Sequence, residues 1–280
     1  MSDPRPIGVF DSGVGGLTVA AALKARLPGE RILYLGDTAR LPYGTKSPET
    51  VARYTRANID FLAGREVKAI VVACNTASAL ALDRLETELP VWGVIEPGAG
   101  RAAEVSRGRI GVIATESTIA SDAYARAIHR LAPGNEVVSV ACPLFVPLVE
   151  EGWFDDPVTE TVARRYLASL LERRIDTLVL GCTHYPLLVP LLSRIVGPDV
   201  TLVDSAAAVS ELVAASLAEA GLVSDAPPGN GDHYCVTDLS GRFTRIAGQI
   251  VGERVTLELV DVGTNRERST GALAHSGGRS

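Results

Sequence analysis

The sequence predicts an α/β protein with two pseudo-symmetric α/β sandwich domains, parallel-rich sheets and an active-site cleft between the domains. Short apolar runs of strand length alternate with helical segments along the chain, which is typical of parallel sheets covered by helices. A second observation is a repeated pattern: the segments VVACNTAS at 71–78 and LVLGCTHY at 178–185 each place a cysteine at the end of an apolar run. Ligands of open α/β sheets collect at such strand ends, so both cysteines are expected to face one cleft.

Length and composition limit the class of protein. A chain of 280 residues with 46% hydrophobic residues suits two domains with cores of ordinary size. The net charge of -6 argues against nucleic acid as a primary partner, because phosphate-binding proteins carry clustered positive charge. No apolar run has the length of a membrane span, and the N-terminal segment lacks the pattern of a signal peptide. We therefore expect a cytoplasmic protein with no membrane partner.

The first part of the chain is predicted to form strands at 6–10, 31–35, 68–73 and 90–95, with helices at 17–27, 48–62 and 75–88. A glycine-rich turn joins the first strand to the first helix, but its spacing departs from the dinucleotide fingerprint. Ser47 before Pro48 is an N-cap signal, and the long connection in front of it is typical of functional loops. Pro97-Gly98 predicts the crossing into a second set of elements.

That second set is predicted to contain strands at 109–114, 136–141, 176–180 and 200–203, with helices ending near 129, 174 and 220. Asp156 before Pro157 is again an N-cap signal. After a Pro/Gly loop at 223–232, a strand at 233–237, a helix at 242–251 and a strand at 255–260 form one more group. Residues 262–280 lack apolar periodicity and are predicted to be a disordered tail.

The four cysteines divide into two kinds. They show no CxxC spacing, so free thiols are expected rather than disulfides or a zinc knuckle. Cys142 and Cys235 lie within apolar segments and fit ordinary core residues. Cys74 and Cys182 stand at strand ends beside polar groups, where a helix N-terminus can lower a thiol pKa from about 8.5 toward neutrality. A functional role is favoured for this second pair.

Three further positions carry acidic or basic groups close to these cysteines. His184 is either a core histidine or the partner that holds or exchanges the proton of Cys182. Asp11 is either a turn former or the equivalent partner of Cys74. Glu150 and Glu151 are either a solvated helix end or acids close to the cleft. A metal site is not predicted, because Cys182-x-His184 supplies two ligands and the other histidines show no pattern.

Six sequence blocks resemble the cofactor-independent glutamate racemases. The blocks follow one another from residue 7 to about residue 205 with family-like spacing; they are DSGVGGLTV at 11–19, GDTARLPYGTKS at 36–47, ACNTASA at 73–79, GVIEPGA at 93–99, CPLFVPLVEEG at 142–152 and LGCTHYPLL at 180–188. The resemblance implies a first domain at 1–97 plus 207–261 and a second at 98–206. It also implies an amino-acid racemase that supplies D-glutamate for peptidoglycan synthesis.

The resemblance assigns roles to individual residues. It implies that Cys74 takes the proton from D-glutamate and Cys182 from L-glutamate, that Asp11 and His184 assist them, and that Glu151, in preference to Glu150, lies nearby. The substrate, glutamate, would be held by Asp11, Ser12, Tyr43, Gly44, Asn75, Thr76, Thr183 and His184. No cofactor and no metal are expected: a pyridoxal Schiff base needs a lysine, and none of the chain's three lysines stands at a suitable position, with Lys46 the one to check.

Two alternatives stay open at this point. One is another enzyme built on the same two thiols, such as an aspartate racemase or a related isomerase or decarboxylase. The other is an amino-acid binding protein with a two-domain cleft, which would bind without exchanging the α-proton. The oligomeric state, including a homodimer, is also left open.

Overall fold

The computed structural model describes residues 2–229, 231–252 and 255–263. Within these residues the chain forms ten strands: β1 (Ile7–Asp11), β2 (Ile32–Gly36), β3 (Ala69–Val72), β4 (Val91–Gly93), β5 (Arg109–Ala114), β6 (Glu136–Ala141), β7 (Thr177–Gly181), β8 (Thr201–Asp204), β9 (His233–Val236) and β10 (Leu257–Leu259). They make one sheet of order β10-β9-β2-β1-β3-β4 and another of order β6-β5-β7-β8. Every neighbouring pair is parallel, which confirms the predicted α/β class with two parallel sheets.

The same residues form eleven α-helices: α1 (Leu17–Arg26), α2 (Pro48–Ala63), α3 (Asn75–Leu80), α4 (Ile95–Val105), α5 (Glu116–Ala120), α6 (Ala123–Leu131), α7 (Phe145–Glu150), α8 (Pro157–Glu172), α9 (Val189–Val196), α10 (Ser205–Glu219) and α11 (Gly241–Val251). The predicted N-caps are present. The Ser47 hydroxyl accepts the N–H of Thr50 in α2, and the Asp156 carboxylate accepts that of Val158 in α8.

Some helices differ from the sequence-based prediction. The segment around Pro97-Gly98, predicted to be only a crossing point, lies in the first turn of α4, where proline is tolerated because its missing N–H would have no intrahelical partner. The helix predicted at 75–88 ends at Leu80 and is followed by a short 3₁₀ turn at Leu82–Arg84. Helices α7 and α9 had not been predicted.

Each sheet is covered by helices on both faces. In the six-stranded sheet, apolar side chains of α1, α10 and α11 pack on one face and those of α2 and α3 on the other. In the four-stranded sheet, α7, α8 and α9 cover one face and α4 and α6 the other. Central strands β1, β3 and β7 are therefore buried along their whole length, as expected for strands with helices on both sides.

This layering places three chemically active positions at the carboxyl ends of central strands. Parallel pairing sets Phe10 opposite Val72, so Asp11 at the end of β1 lies beside the segment that leads from β3 to Cys74. Cys182 directly follows β7 in the other sheet. Asp11 and Cys74 thus belong to one sheet and Cys182 to the other.

The C-terminal strands complete the larger sheet, since β9 pairs with β2 and β10 pairs with β9. The domain boundaries at 97/98 and 206/207 stay a prediction. Residues 264–280, most of the predicted disordered tail, lie outside the described residues. Among the described residues, no helix combines the length and hydrophobicity that a membrane span requires.

A buried ion pair fixes the amino end of the larger sheet. Lys68 Nζ lies 2.6 Å from Glu30 Oε2, and both side chains are almost completely buried. This contact is an ion pair rather than an aligned hydrogen bond, and Lys68 also donates to the carbonyls of Asp3 and Leu222. Glu30 Oε1 in turn accepts the N–H of Ser224. The pair therefore joins the N-terminal segment to the connection that follows α10.

We expect Lys68→Ala to lower the free energy of unfolding by about 3 to 5 kcal/mol, because it leaves the Glu30 carboxylate buried without its cation. Urea denaturation measures the change. The control is Arg101→Ala, which breaks the exposed ion pair with Glu104 and is expected to leave the midpoint of urea unfolding unchanged. Equal effects of the two substitutions would contradict a stabilising role for the buried pair.

Candidate active site

Two buried thiols line one cleft between the sheets. Cys74 is 4% exposed and Cys182 is 7% exposed, and both belong to the wall of one small cavity. The wall is formed by Ser12, Leu41, Pro42, Tyr43, Gly44, Cys74, Asn75, Thr76, Thr115, Val146, Cys182, Thr183 and His184. All four cysteines are free thiols. The arrangement thus brings together the two strand-end cysteines singled out in the sequence.

Cys74 has a polar but unfavourable environment for a thiolate. It is the N-cap of α3, and its sulfur accepts the N–H of Ala77 at 3.4 Å while its thiol donates to Ser12 Oγ at 3.5 Å. Burial nevertheless raises the pKa of Cys74 to about 12, with the nearby Asp11 charge acting in the same direction. This is the opposite of the lowering expected from a helix N-terminus, because two weak sulfur hydrogen bonds do not compensate for desolvation.

Cys182 lies beside a histidine that keeps its proton. The sulfur is 3.8 Å from His184 Nδ1, and His184 Nε2 is 3.4 Å from Glu150 Oε1 without the alignment of a hydrogen bond. Burial alone would lower the pKa of His184. Cys182 and Glu150 outweigh burial and raise this pKa to about 10. At neutral pH the ring is therefore an imidazolium, and its positive charge lies beside the Cys182 sulfur.

The acid beside His184 is Glu150, whereas the resemblance had indicated Glu151. Glu150 is the last residue of α7 and its side chain is turned inward. Glu151 follows it on the outer side, where its carboxylate pairs with Arg242 of α11 at 2.6 Å. A rotation of about 100° per residue separates neighbouring side chains at a helix end. Glu150 therefore reaches His184, with Arg242 3.9 Å from its other oxygen, whereas Glu151 pairs with Arg242 alone among the described residues.

Asp11 joins the two sheets rather than contacting Cys74 directly. Its carboxylate accepts the N–H of Gly13 at 3.0 Å and the hydroxyl of Thr183 at 3.3 Å. Burial raises the pKa of Asp11, while the His184 charge opposes this shift. A Cβ at Gly15 would lie 2.6 Å from His184 Nδ1, so only glycine lets the turn pack this closely on the opposite sheet.

The loop before α2 is held by a polar network behind the cleft. The Tyr43 hydroxyl donates to the Asp37 carboxylate, and Asn58 Nδ2 donates to both groups, at 3.2 Å to Asp37 and 3.0 Å to Tyr43. Arg40 contributes a further bond to Asp37 at 2.8 Å. These bonds fix the backbone of Gly44, the next residue along the cleft wall.

Sequence reasoning placed most of the cleft but missed part of it. The predicted substrate-binding residues line the cavity, except for Asp11, which lies behind it, and the predicted Glu151 lies outside it. Thr115 was missed, although it follows β5, the strand adjacent to β7. Its hydroxyl is 3.0 Å from that of Thr76, across the two sheets. The signal that could have identified Thr115 is its strand-end position, which is equivalent to those of the two cysteines.

Neither a lysine nor a metal-ligand cluster is part of this site. Lys68 and Lys24 are engaged with Glu30 and Asp232, and Lys46 does not line the cleft. In the described residues, no three His, Cys, Asp or Glu side chains are grouped as metal ligands.

Comparison with known proteins places the chain in a family. The family model described as Asp/Glu/Hydantoin racemase matches residues 17–213. A glutamate racemase of Geobacter metallireducens is 53% identical over 254 residues, covering 90% of this chain and 94% of that protein. The structure of a glutamate racemase isoform from Bacillus anthracis has a TM-score of 0.88 at 40% identity, covering 92% of this chain and 97% of that one.

A glutamate racemase from Francisella tularensis, solved in complex with D-glutamate, has a TM-score of 0.86 at 40% identity over 93% of this chain and 98% of that one. The predicted family is therefore confirmed. The chain belongs to the Asp/Glu/Hydantoin racemase family and groups within it with the enzymes named glutamate racemase.

Proposed function

We propose that the chain interconverts L-glutamate and D-glutamate by a two-base mechanism that uses Cys74 and Cys182 and no cofactor. The observation that carries the proposal is the pair of buried thiols in one closed cleft, with opposite electrostatic surroundings. Racemisation breaks a Cα–H bond on one face of the carbon and forms it on the other. It therefore needs one thiolate and one thiol at the same time.

The surroundings of the two thiols suit the reaction from L-glutamate. Cys74 holds its proton because burial raises its pKa, whereas Cys182 lies beside the positive charge of the His184 imidazolium. Cys182 removes the α-proton of L-glutamate, and Cys74 donates a proton to the opposite face. The thiols then have exchanged roles, and this is the state that D-glutamate requires for the reverse reaction.

The negative charge that develops on the substrate is stabilised by fixed donors in a site without bulk water. Hydroxyl and amide groups of Ser12, Asn75 and Thr76 line the cleft and can donate to the substrate carboxylates, while the Thr183 hydroxyl, also in the cleft wall, donates to Asp11. A Schiff base is not used, since no lysine lines the cleft.

Glutamate is the proposed substrate because the similar enzymes carry that name and one of them was solved with D-glutamate. We further propose that the enzyme is cytoplasmic and that its D-glutamate product is used in peptidoglycan synthesis. The direct test is formation of D-glutamate from L-glutamate without added cofactor, with L-aspartate in a parallel reaction. Faster turnover of L-aspartate would favour an aspartate racemase, and binding without turnover would favour an amino-acid binding protein.

We expect Cys74→Ala and Cys182→Ala each to reduce racemisation by at least about 10³-fold in both directions, because every turnover needs one acid and one base. Circular dichroism of the glutamate solution follows the reaction. The matched control is Cys142→Ala, which removes the thiol of a buried cysteine outside the cleft and should retain activity. Wild-type rates in either of the first two variants would refute the two-base assignment.

In deuterium oxide we expect the product enantiomer to acquire deuterium at Cα while the remaining substrate stays largely unlabelled, since the donating thiol has exchanged with solvent and the accepting base lies on the opposite face. Proton NMR of each enantiomer, separated after brief incubation, measures the label. Equal labelling of both pools at early times would indicate one base acting on both faces.

The pH dependence of the reaction rate distinguishes the roles of Glu150 and Glu151. Glu150→Gln removes a charge that raises the pKa of His184, so the imidazolium should be lost at lower pH than in the wild type. We expect the alkaline limb of kcat/KM from L-glutamate to move to lower pH. Glu151→Gln, which loses the pair with Arg242, is the matched control and should leave the profile in place. A shift of the alkaline limb in the Glu151 variant alone would support Glu151 as the acid that acts on the site.

A further inference from the structure

A buried tyrosine outside the cleft wall connects three elements of the fold. Tyr124 of α6 is 3% exposed, and its hydroxyl lies 2.7 Å from Asn75 Oδ1 and 2.8 Å from Ser205 Oγ. Helix α6 packs on the smaller sheet, whereas Asn75 begins α3 on the larger one and Ser205 begins α10. One hydroxyl thus reaches across the sheets to the residue that follows Cys74.

The hydrogen-bond pattern orients the amide of Asn75. A phenol carries a single proton, and burial raises the pKa of Tyr124, which keeps that proton on the oxygen. The proton goes to Asn75 Oδ1, and the Ser205 hydroxyl donates to the Tyr124 oxygen in turn. The amide nitrogen of Asn75 donates to none of the described residues, although Asn75 is itself 3% exposed and lines the cleft. The donor is therefore left free at the site.

The ring of Tyr124 is held in place. A Cβ at Gly181 would lie 3.1 Å from Tyr124 Cε2 and 2.8 Å from the carbonyl oxygen of Ile113, so the ring packs closely against the residue that precedes Cys182. The phenol cannot move away from Asn75 without displacing this contact.

We propose that Tyr124 is a positioning residue that presents the Asn75 amide nitrogen to a carboxylate group of the substrate. This inference rests on the proposed function. A carboxylate only accepts hydrogen bonds, so an inverted amide would set an oxygen against it and weaken binding. Tyr124 acts on binding through Asn75, from the opposite sheet, without contacting the substrate.

The first test is Tyr124→Phe, which removes the hydroxyl and keeps the ring. We expect the KM for both glutamate enantiomers and the dissociation constant of D-glutamate to rise by about 5- to 10-fold, the effect of one hydrogen bond, with a smaller change in kcat. The control is Tyr166→Phe. Among the described residues the Tyr166 hydroxyl accepts only the N–H of Leu144, and its removal should change neither constant. Unchanged constants in Tyr124→Phe would overturn the proposal.

A double-mutant cycle tests the route of the effect. In an Asn75→Ala background, Tyr124→Phe should weaken D-glutamate binding no further, because the group that it orients is gone. Additive losses would mean that Tyr124 supports the fold rather than the amide, and would refute the inference.

A third variant tests the orientation itself and leaves Tyr124 in place. Asn75→Asp keeps an oxygen for Tyr124 but replaces the amide donor, and it should bind D-glutamate more weakly than Asn75→Ala does. Wild-type affinity in Asn75→Asp would overturn the proposal. Calorimetric dissociation constants keep these outcomes separate from the proposed function, which fails instead if the wild-type protein does not racemise glutamate.

Discussion

The site depends on burying two thiols in unequal electrostatic surroundings. Desolvation disfavours a thiolate, and at Cys74 it raises the pKa to about 12. Cys182 instead lies beside the positive charge of His184, which Glu150 helps to maintain. A closed cleft strengthens both effects, because little water is present to screen them.

The fold was largely predictable because its strands are short, apolar and separated by helices. This pattern identifies parallel sheets before any contact is known, and it located the strands that carry Asp11, Cys74 and Cys182. Several of the errors involve proline. Pro97 was interpreted as a break, yet it lies within the first turn of α4, and the short helices α7 and α9 also contain proline close to their starts. Such helices depend on tertiary packing more than on local propensity.

The candidate site was less predictable where contacts cross from one sheet to the other. The positions of the strand ends predicted both cysteines. The hydrogen bond from Thr183 to Asp11, by contrast, depends on how the two sheets face each other. The choice between Glu150 and Glu151 depends on the exact rotation of a helix end, which the sequence does not specify. Thr115 and Tyr124 were equally hard to predict from the sequence, because each forms a hydrogen bond with a residue of the opposite sheet.

The close packing of the Gly15 turn on His184 and Thr183 has a consequence for substrate admission. Because both sulfurs are almost inaccessible, admission of an amino acid requires the cleft wall to open, and separation of the turn from the opposite sheet is one such opening. Separation also breaks the Thr183 bond and hydrates Asp11, whose pKa burial had raised. Admission and acid strength are thereby coupled, because opening makes Asp11 a stronger acid when water relieves the desolvation that raises its pKa.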